Sequence, residues 1–272
     1  MNPMIPALAA VVCVVSPPAR APLGVRAHEV DSSRMMASDT RPMGSGAPAQ
    51  ATVTTKVYKI KHPQYGPGVF RFPVVQAAGP AATRAINRAL KKVRDNIYDA
   101  EDDPSSLITM TFAVSQNGDN VLSLSLEVDA MGAYPTRWSE HHSFLLSTGE
   151  ALTVQKIFEP AKMRALASRV NAELQKEIGR AKRGELPGKD PECKQMAISG
   201  TVGVKDLQSF QIKADGIVFS YDYMIPHAGQ ACQPDGQFLL SFADLAPYLR
   251  LNGPLSELIE GSKAHSPAPE QR

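Results

Sequence analysis

The densest meeting of acid and histidine in this chain is Glu140-His141-His142, the residue types that a zinc ion or a general base would need. On a strand, successive side chains point to opposite faces, so His141 and His142 cannot hold one ion together without a bulge. The expected arrangement is a half-buried His142 and a solvated His141, with no metal. His227 lies in the loop Pro226-His227-Ala228-Gly229. There a histidine satisfied by backbone groups is the plain reading, and a general base the chemical one.

The sequence holds no Gly-x-Ser-x-Gly elbow, no Ser-x-x-Lys, no His-Glu-x-x-His and no glycine loop that would cradle a phosphate. Asp102 and Asp103 are adjacent beside Pro104, and nothing in that spacing marks an acid and base pair. Two carboxylates drawn from distant segments would leave no local trace. The expectation is therefore no catalytic residue, no cofactor and no metal. Tyr134, Arg137 and Trp138 lie within one loop and are types enriched at binding hot spots, with core packing the competing role for Trp138. With His227 they make up the candidate ligand-binding set.

The elements that must carry these residues follow from periodicity. Val53 to Ile60 is rich in β-branched residues and reads as a strand, and Val69 to Val75 as an edge strand or loop because Pro73 interrupts it. After Gly79-Pro80, residues Ile86, Leu90, Val93 and Ile97 form one helical stripe. Ile108 to Val114 and Leu122 to Val128 alternate strictly on either side of Asn117-Gly118, which predicts an antiparallel hairpin with one wet face. Trp138, His142, Phe144 and Leu146 share a parity and predict a third strand. A second helix begins near Pro160, with Met163, Leu166, Val170, Leu174 and Ile178 on one face, and frays by Gly184. Asp206 to Ile212 and Ile217 to Tyr223 predict a second hairpin around Asp215-Gly216, followed by a closing segment from Phe238 to Leu249. The order gives an α+β fold, an antiparallel sheet packed with two main helices.

The 272 residues are 43% hydrophobic, and 29 basic against 27 acidic side chains leave a formal charge of +2. That balance offers no electrostatic footprint for nucleic acid. Ile5 to Val15 is an apolar run of eleven residues, too short to span a bilayer and suited to the core of a signal peptide. Cleavage after Ala21 or Ala27 satisfies the small-x-small rule; Ala27 is preferred, because Pro22 would follow the first cut. The expected organisation is a signal peptide at 1–27, a flexible tether at 28–51 and a disordered tail at 262–272, with no membrane span in the mature chain. Export takes Cys13 with the signal and leaves Cys193 and Cys232, an even number in an oxidising compartment. We expect them to be bonded; the alternatives are two separate buried thiols or a zinc site, for which neither cysteine has a Cys-x-x-Cys partner.

Met131-Gly132-Ala133-Tyr134-Pro135, Ser147-Thr148-Gly149, Leu152 to Phe158, the helix from Pro160, and the run FQIKADGIVFSYDYMIPHAG followed by FLLSFADLAPYL succeed one another in an ordered set. That set resembles the RsiV-like family, extracytoplasmic domains best known from a lysozyme-binding anti-sigma factor. The resemblance covers roughly 131–258 and implies two modules, an N-terminal α+β module at 52–130 and an RsiV-like C-terminal domain at 131–261. Tyr134 stands where many relatives carry histidine, and the loop from Gly229 to Gly236 is longer than usual and contains Cys232. The anti-sigma relatives have a sigma-binding segment and a spanning helix that this chain is not expected to have. The resemblance implies a periplasmic or secreted, non-catalytic binding protein of the cell envelope whose partner is a lysozyme-like muramidase or peptidoglycan. The alternative is an envelope hydrolase acting on peptidoglycan with carboxylates from separated segments.

Overall fold

The computed structural model describes residues 50–62, 66–100, 107–131, 134–256 and 258–259. The expected signal peptide, most of the tether, Asp102-Asp103, Gly132-Ala133 and the C-terminal tail lie outside them. The fold is α+β, as the pattern predicts. Strands β1 (Thr52–His62), β2 (Gly66–Gln76), β3 (Leu107–Gly118), β4 (Val121–Met131) and β5 (Pro135–Leu145) form a five-stranded sheet in chain order. Strands β6 (Phe210–Ile212), β7 (Gly216–Ser220) and β8 (Gln237–Ser241) form a second sheet of three. The first sheet contains strands from both sides of residue 130/131, because β4 and β5 pair from Val121/Leu145 to Met131/Pro135.

The first sheet is not wholly antiparallel. β2 and β3 are joined by helix α1 (Pro80–Ala100) and run parallel at Val69/Thr109 and Phe70/Met110, since a helical crossover returns the chain in its original direction. β2 is consequently an interior strand, despite Pro73. N–H groups of alternate residues share a side, and those of Val75 and Ala77 turn away from β1 to Asn87 Oδ1 and Thr83 Oγ1, both at 3.0 Å. The donor that Pro73 lacks falls on that same side, beyond the point where β3 leaves the strand.

The first hairpin also turns later than Asn117-Gly118. Strand β3 runs to Gly118, and Asp119 and Asn120 take the turn with φ of 48° and 62°. Asn117 is otherwise engaged: its amide accepts from Ala51 N–H at 2.9 Å and donates to Ala51 O at 2.8 Å.

Two apolar clusters hold the body together. Behind the first sheet, Ile86, Leu90 and Ile97 of α1 pack on Phe70, Met110, Leu124 and Phe144. The second sheet packs on helix α3 (Met163–Arg183), where Leu166, Val170, Leu174 and Ile178 meet Ile212, Ile217, Phe219 and Leu240. A helical turn, α2 (Val154–Ile157), and a short helix, α4 (Phe242–Leu245), close this cluster. α3 follows a 3-10 turn at Pro160–Lys162 and ends on Gly184, left-handed at φ 73°. The segment before β6 is a 3-10 turn at Val204–Gln208, because the Asp206 carboxylate accepts the Gly203 N–H at 2.7 Å and bends the chain.

The serine face of the first hairpin, expected to be wet, is dry over half its length. Ser123 and Ser125 are buried, and Ser123 Oγ accepts from Ser143 Oγ at 2.9 Å and from the Ile212 N–H at 3.1 Å. Ser115 Oγ adds a bond to Ile212 O at 2.8 Å. The second sheet therefore docks on the first through satisfied hydroxyls, a specific contact instead of a merely apolar one.

Candidate functional site

β5 is the last strand of the first sheet, and its odd-numbered side chains face the same way as Ser123 and Ser125. Ser143 and His141 lie under the second sheet, while Ser139 and Arg137 emerge beyond it. Arg137 Nε lies 2.5 Å from Asp129 Oδ1, and Thr109 Oγ1 donates to Asp129 Oδ2 at 2.9 Å. The Arg137 guanidinium holds the Asp129 carboxyl below its ordinary range, against the desolvation that opposes it. Ser139 Oγ donates to Glu127 on the neighbouring strand.

Opposite this ledge stands the segment from Tyr221 to Gln237. A disulfide joins Cys193 to Cys232 with a Cα separation of 5.3 Å, within the usual range, and braces a 3-10 turn at His227–Cys232. The far end of the loop is fixed by Glu177, a 6% exposed carboxylate on α3. Its Oε2 accepts the Tyr223 hydroxyl at 2.6 Å and the Gly236 N–H at 3.2 Å. Gly236 is left-handed at φ 62°, and a Cβ there would press on the Tyr221 carbonyl oxygen, so only glycine fits without distortion. Tyr221 stacks edge-on against Tyr223 at 5.2 Å. Met224 is also left-handed, at φ 52°, and 81% exposed, with its N–H bonded to Asp222 Oδ1 at 2.8 Å. A left-handed backbone at a non-glycine residue is costly for folding alone.

Between ledge and loop runs a groove of about 600 Å³, lined among others by Arg137, Trp138, His141, Tyr221, Met224 and Gln233. Two of the sequence-selected residues, Arg137 and Trp138, thus line the groove, and of the two Arg137 is on the strand face that carries Ser123 and Ser125. Trp138 also packs, partly buried, against the cluster behind the sheet. Tyr134 is 61% exposed and does not line the groove, and His227 opens the 3-10 turn. Sequence reading missed Glu177, Tyr223 and Met224. Glu177 was detectable: it falls three residues after Leu174 and seven after Val170, on the apolar stripe of α3.

His142 is partly buried, as expected, and His141 differs from expectation. His141 is half-buried, not solvated, because the second sheet covers it; its Nε2 lies 3.2 Å from Ser220 Oγ and its Nδ1 is buried without a partner among the described residues. His142 Nε2 is 3.4 Å from Glu140 Oε2, on the opposite face. Among the described residues no group of three metal-ligating side chains comes together.

Desolvation holds the His141 pKa below its ordinary value of 6.5, with Glu127 opposing and His142 assisting. A depressed folded-state pKa contributes stability present above the unfolded value and lost as pH falls through the folded one. Urea midpoints should therefore fall as pH drops below 6.5, and His141→Asn should flatten the part of that fall due to this residue. Equal slopes in variant and wild type would contradict the assignment.

No protein-family model matches the sequence, and no curated protein does. Among solved structures, a member of the DUF3298 family from Bacteroides fragilis aligns with a TM-score of 0.51 at 13% identity, over 80% of this chain and 98% of that one. This chain has the fold of that DUF3298 protein. A DUF3298 family protein from Pseudomonas aeruginosa aligns at a TM-score of 0.48 and 11% identity, over 78% and 96% of the two chains. The likeness is one of fold alone and assigns no chemistry.

Proposed function

We propose that this chain is a secreted or periplasmic, non-catalytic binding protein of the cell envelope, and that its partner is a lysozyme-like muramidase. The resemblance to the RsiV-like family supports the partner class, and the disulfide is in keeping with an oxidising compartment. The observation that carries the reading is the groove between β5 and the braced loop. It sets Trp138, Arg137, Tyr221 and an exposed Met224 around one concavity, the residue types concentrated at protein interfaces. Asp206, Asp222 and Asp235 line it against Arg137 and Lys205, and Arg137 is already paired with Asp129. That surplus of acid favours a basic protein surface over an anionic glycan. A rigid loop seated in the partner's cleft would suffice to inhibit it.

The hydrolase reading has one observation in its favour: Glu177 and Asp235, from separated segments, line a common cavity of about 440 Å³. Yet the Glu177 carboxylate is already occupied as the shared acceptor of the Tyr223 hydroxyl and the Gly236 N–H, which makes it a structural anchor. The two readings part in one experiment with the mature, oxidised chain. Capture of a muramidase from envelope extract without turnover of purified sacculi is expected. Capture of peptidoglycan alone would redirect the partner class, and sacculus turnover would overturn the non-catalytic reading.

A further inference from the structure

β8 is the outer strand of the second sheet, paired with β7 on one side and with no strand on the other among the described residues. Tyr221 N–H bonds Gly236 O at 2.8 Å and Phe242 N–H bonds Asp215 O at 3.3 Å, which fixes the phase of the ladder. Phe238 and Leu240 therefore turn their backbone groups toward β7, and the alternation turns those of Gln237 and Leu239 outward. The strand is not blunted by charge or proline, and Leu239 is 49% exposed.

Alongside that open edge runs a trough of about 640 Å³. Its other wall is the flank of α3, where Glu173, Lys176, Arg180 and Arg183 follow one another at helical spacing. Gly179 lies on that wall, and a Cβ there would meet nothing closer than Arg183 Nη1 at 3.4 Å, so side-chain bulk is missing where a chain would pass. Lys176 and Arg169 share Glu173, and Arg183 pairs with Glu185 at 2.7 Å. Arg180 is exposed and has no ion-pair partner among the described residues, while Glu177 is turned inward to Tyr223 and Gly236. The wall keeps positive charge in surplus.

We propose that the β8 edge takes an extended, acidic segment of a partner protein as an added strand. The backbone groups of Gln237 and Leu239 pair with the incoming chain, and Lys176, Arg180 and Arg183 face its carboxylates. This surface meets the groove of Arg137 and Trp138 at Gln237, which lines both, while Leu239, Lys176, Arg180 and Arg183 line the trough and not the groove, so the two are tested by different residues and either can fail without the other.

The test uses the full oxidised chain and short synthetic peptides of alternating valine and glutamate, titrated while the amide signals of Gln237 and Leu239 are followed by NMR. Three further probes are a valine-lysine counterpart and the valine-glutamate peptide N-methylated at alternate residues in each of the two frames. The acidic peptide should shift both amides, and the basic one should bind at least about tenfold more weakly. Methylation in one frame should abolish binding and in the other leave it, since only alternate amides face the edge. Arg180→Glu, a surface change, should weaken the acidic peptide about tenfold with an unchanged circular dichroism spectrum. No binding of the acidic peptide, equal binding of both signs of charge, or equal binding of both methylated frames would overturn the proposal.

Discussion

Replacing Cys193 and Cys232 together by alanine should lower stability by about 4 kcal/mol, and the thermal midpoint by about 8–16 °C for a body of this size. The bond spans 39 residues, from the 3-10 turn at Pro191–Gln195 to the turn at His227–Cys232. In the unfolded chain it forbids every conformation that separates those points, and the loss of that restriction sets the magnitude in the chain-entropy view. Thermal unfolding of oxidised wild type and the double variant measures the effect. A loss of under about 1 kcal/mol would mean that the unfolded loop is compact without its bond.

Glu177→Ala should cost about 3 kcal/mol, because it strips the Tyr223 hydroxyl and the Gly236 N–H of their shared acceptor in a buried place. Tyr223→Phe should cost less, about 1–2 kcal/mol, since Gly236 keeps its partner. The pH dependence separates this from a packing effect. Burial, then the hydrogen bond to Glu177, pushes the Tyr223 phenol above its ordinary value of 10.0. A raised folded-state pKa leaves stability intact below the unfolded value and erodes it as pH rises beyond. Wild-type stability should therefore hold up to about pH 10 and then fall by up to ~1.4 kcal/mol per pH unit, a decline that Tyr223→Phe should reduce. Urea midpoints in alkaline buffers measure it; identical alkaline slopes in the two proteins would contradict the account.

What could be read from sequence was what local periodicity encodes. The stripe of Ile86, Leu90 and Ile97 gave α1, that of Leu166, Val170, Leu174 and Ile178 gave α3, and alternation from Leu122 to Val128 gave β4. The cysteine count gave the disulfide. Pro73 misled, because a strand's tolerance of proline depends on which side its neighbour lies, a fact settled by the crossover of α1. Asn117-Gly118 misled, because Asn117 spends its amide on Ala51 across the sheet. Ser123 and His141 looked solvent-facing, since nothing local says that a second sheet will cover them. The groove was half legible for the same reason. Arg137 and Trp138 were selected by type, but their proximity to Tyr221, Met224 and Gln233 is a long-range consequence of two sheets docking through hydroxyls. Glu177 was present in the pattern as an acid on an apolar stripe.

The most direct measurement is calorimetric titration of a lysozyme-like muramidase with the oxidised chain, alongside its Met224→Asp and Arg137→Glu variants. Wild type should bind and depress muramidase activity, and each groove variant should bind at least about tenfold more weakly while unfolding at a similar temperature. Absence of wild-type binding, or variants that bind as tightly as wild type, would contradict the assignment of partner and of groove.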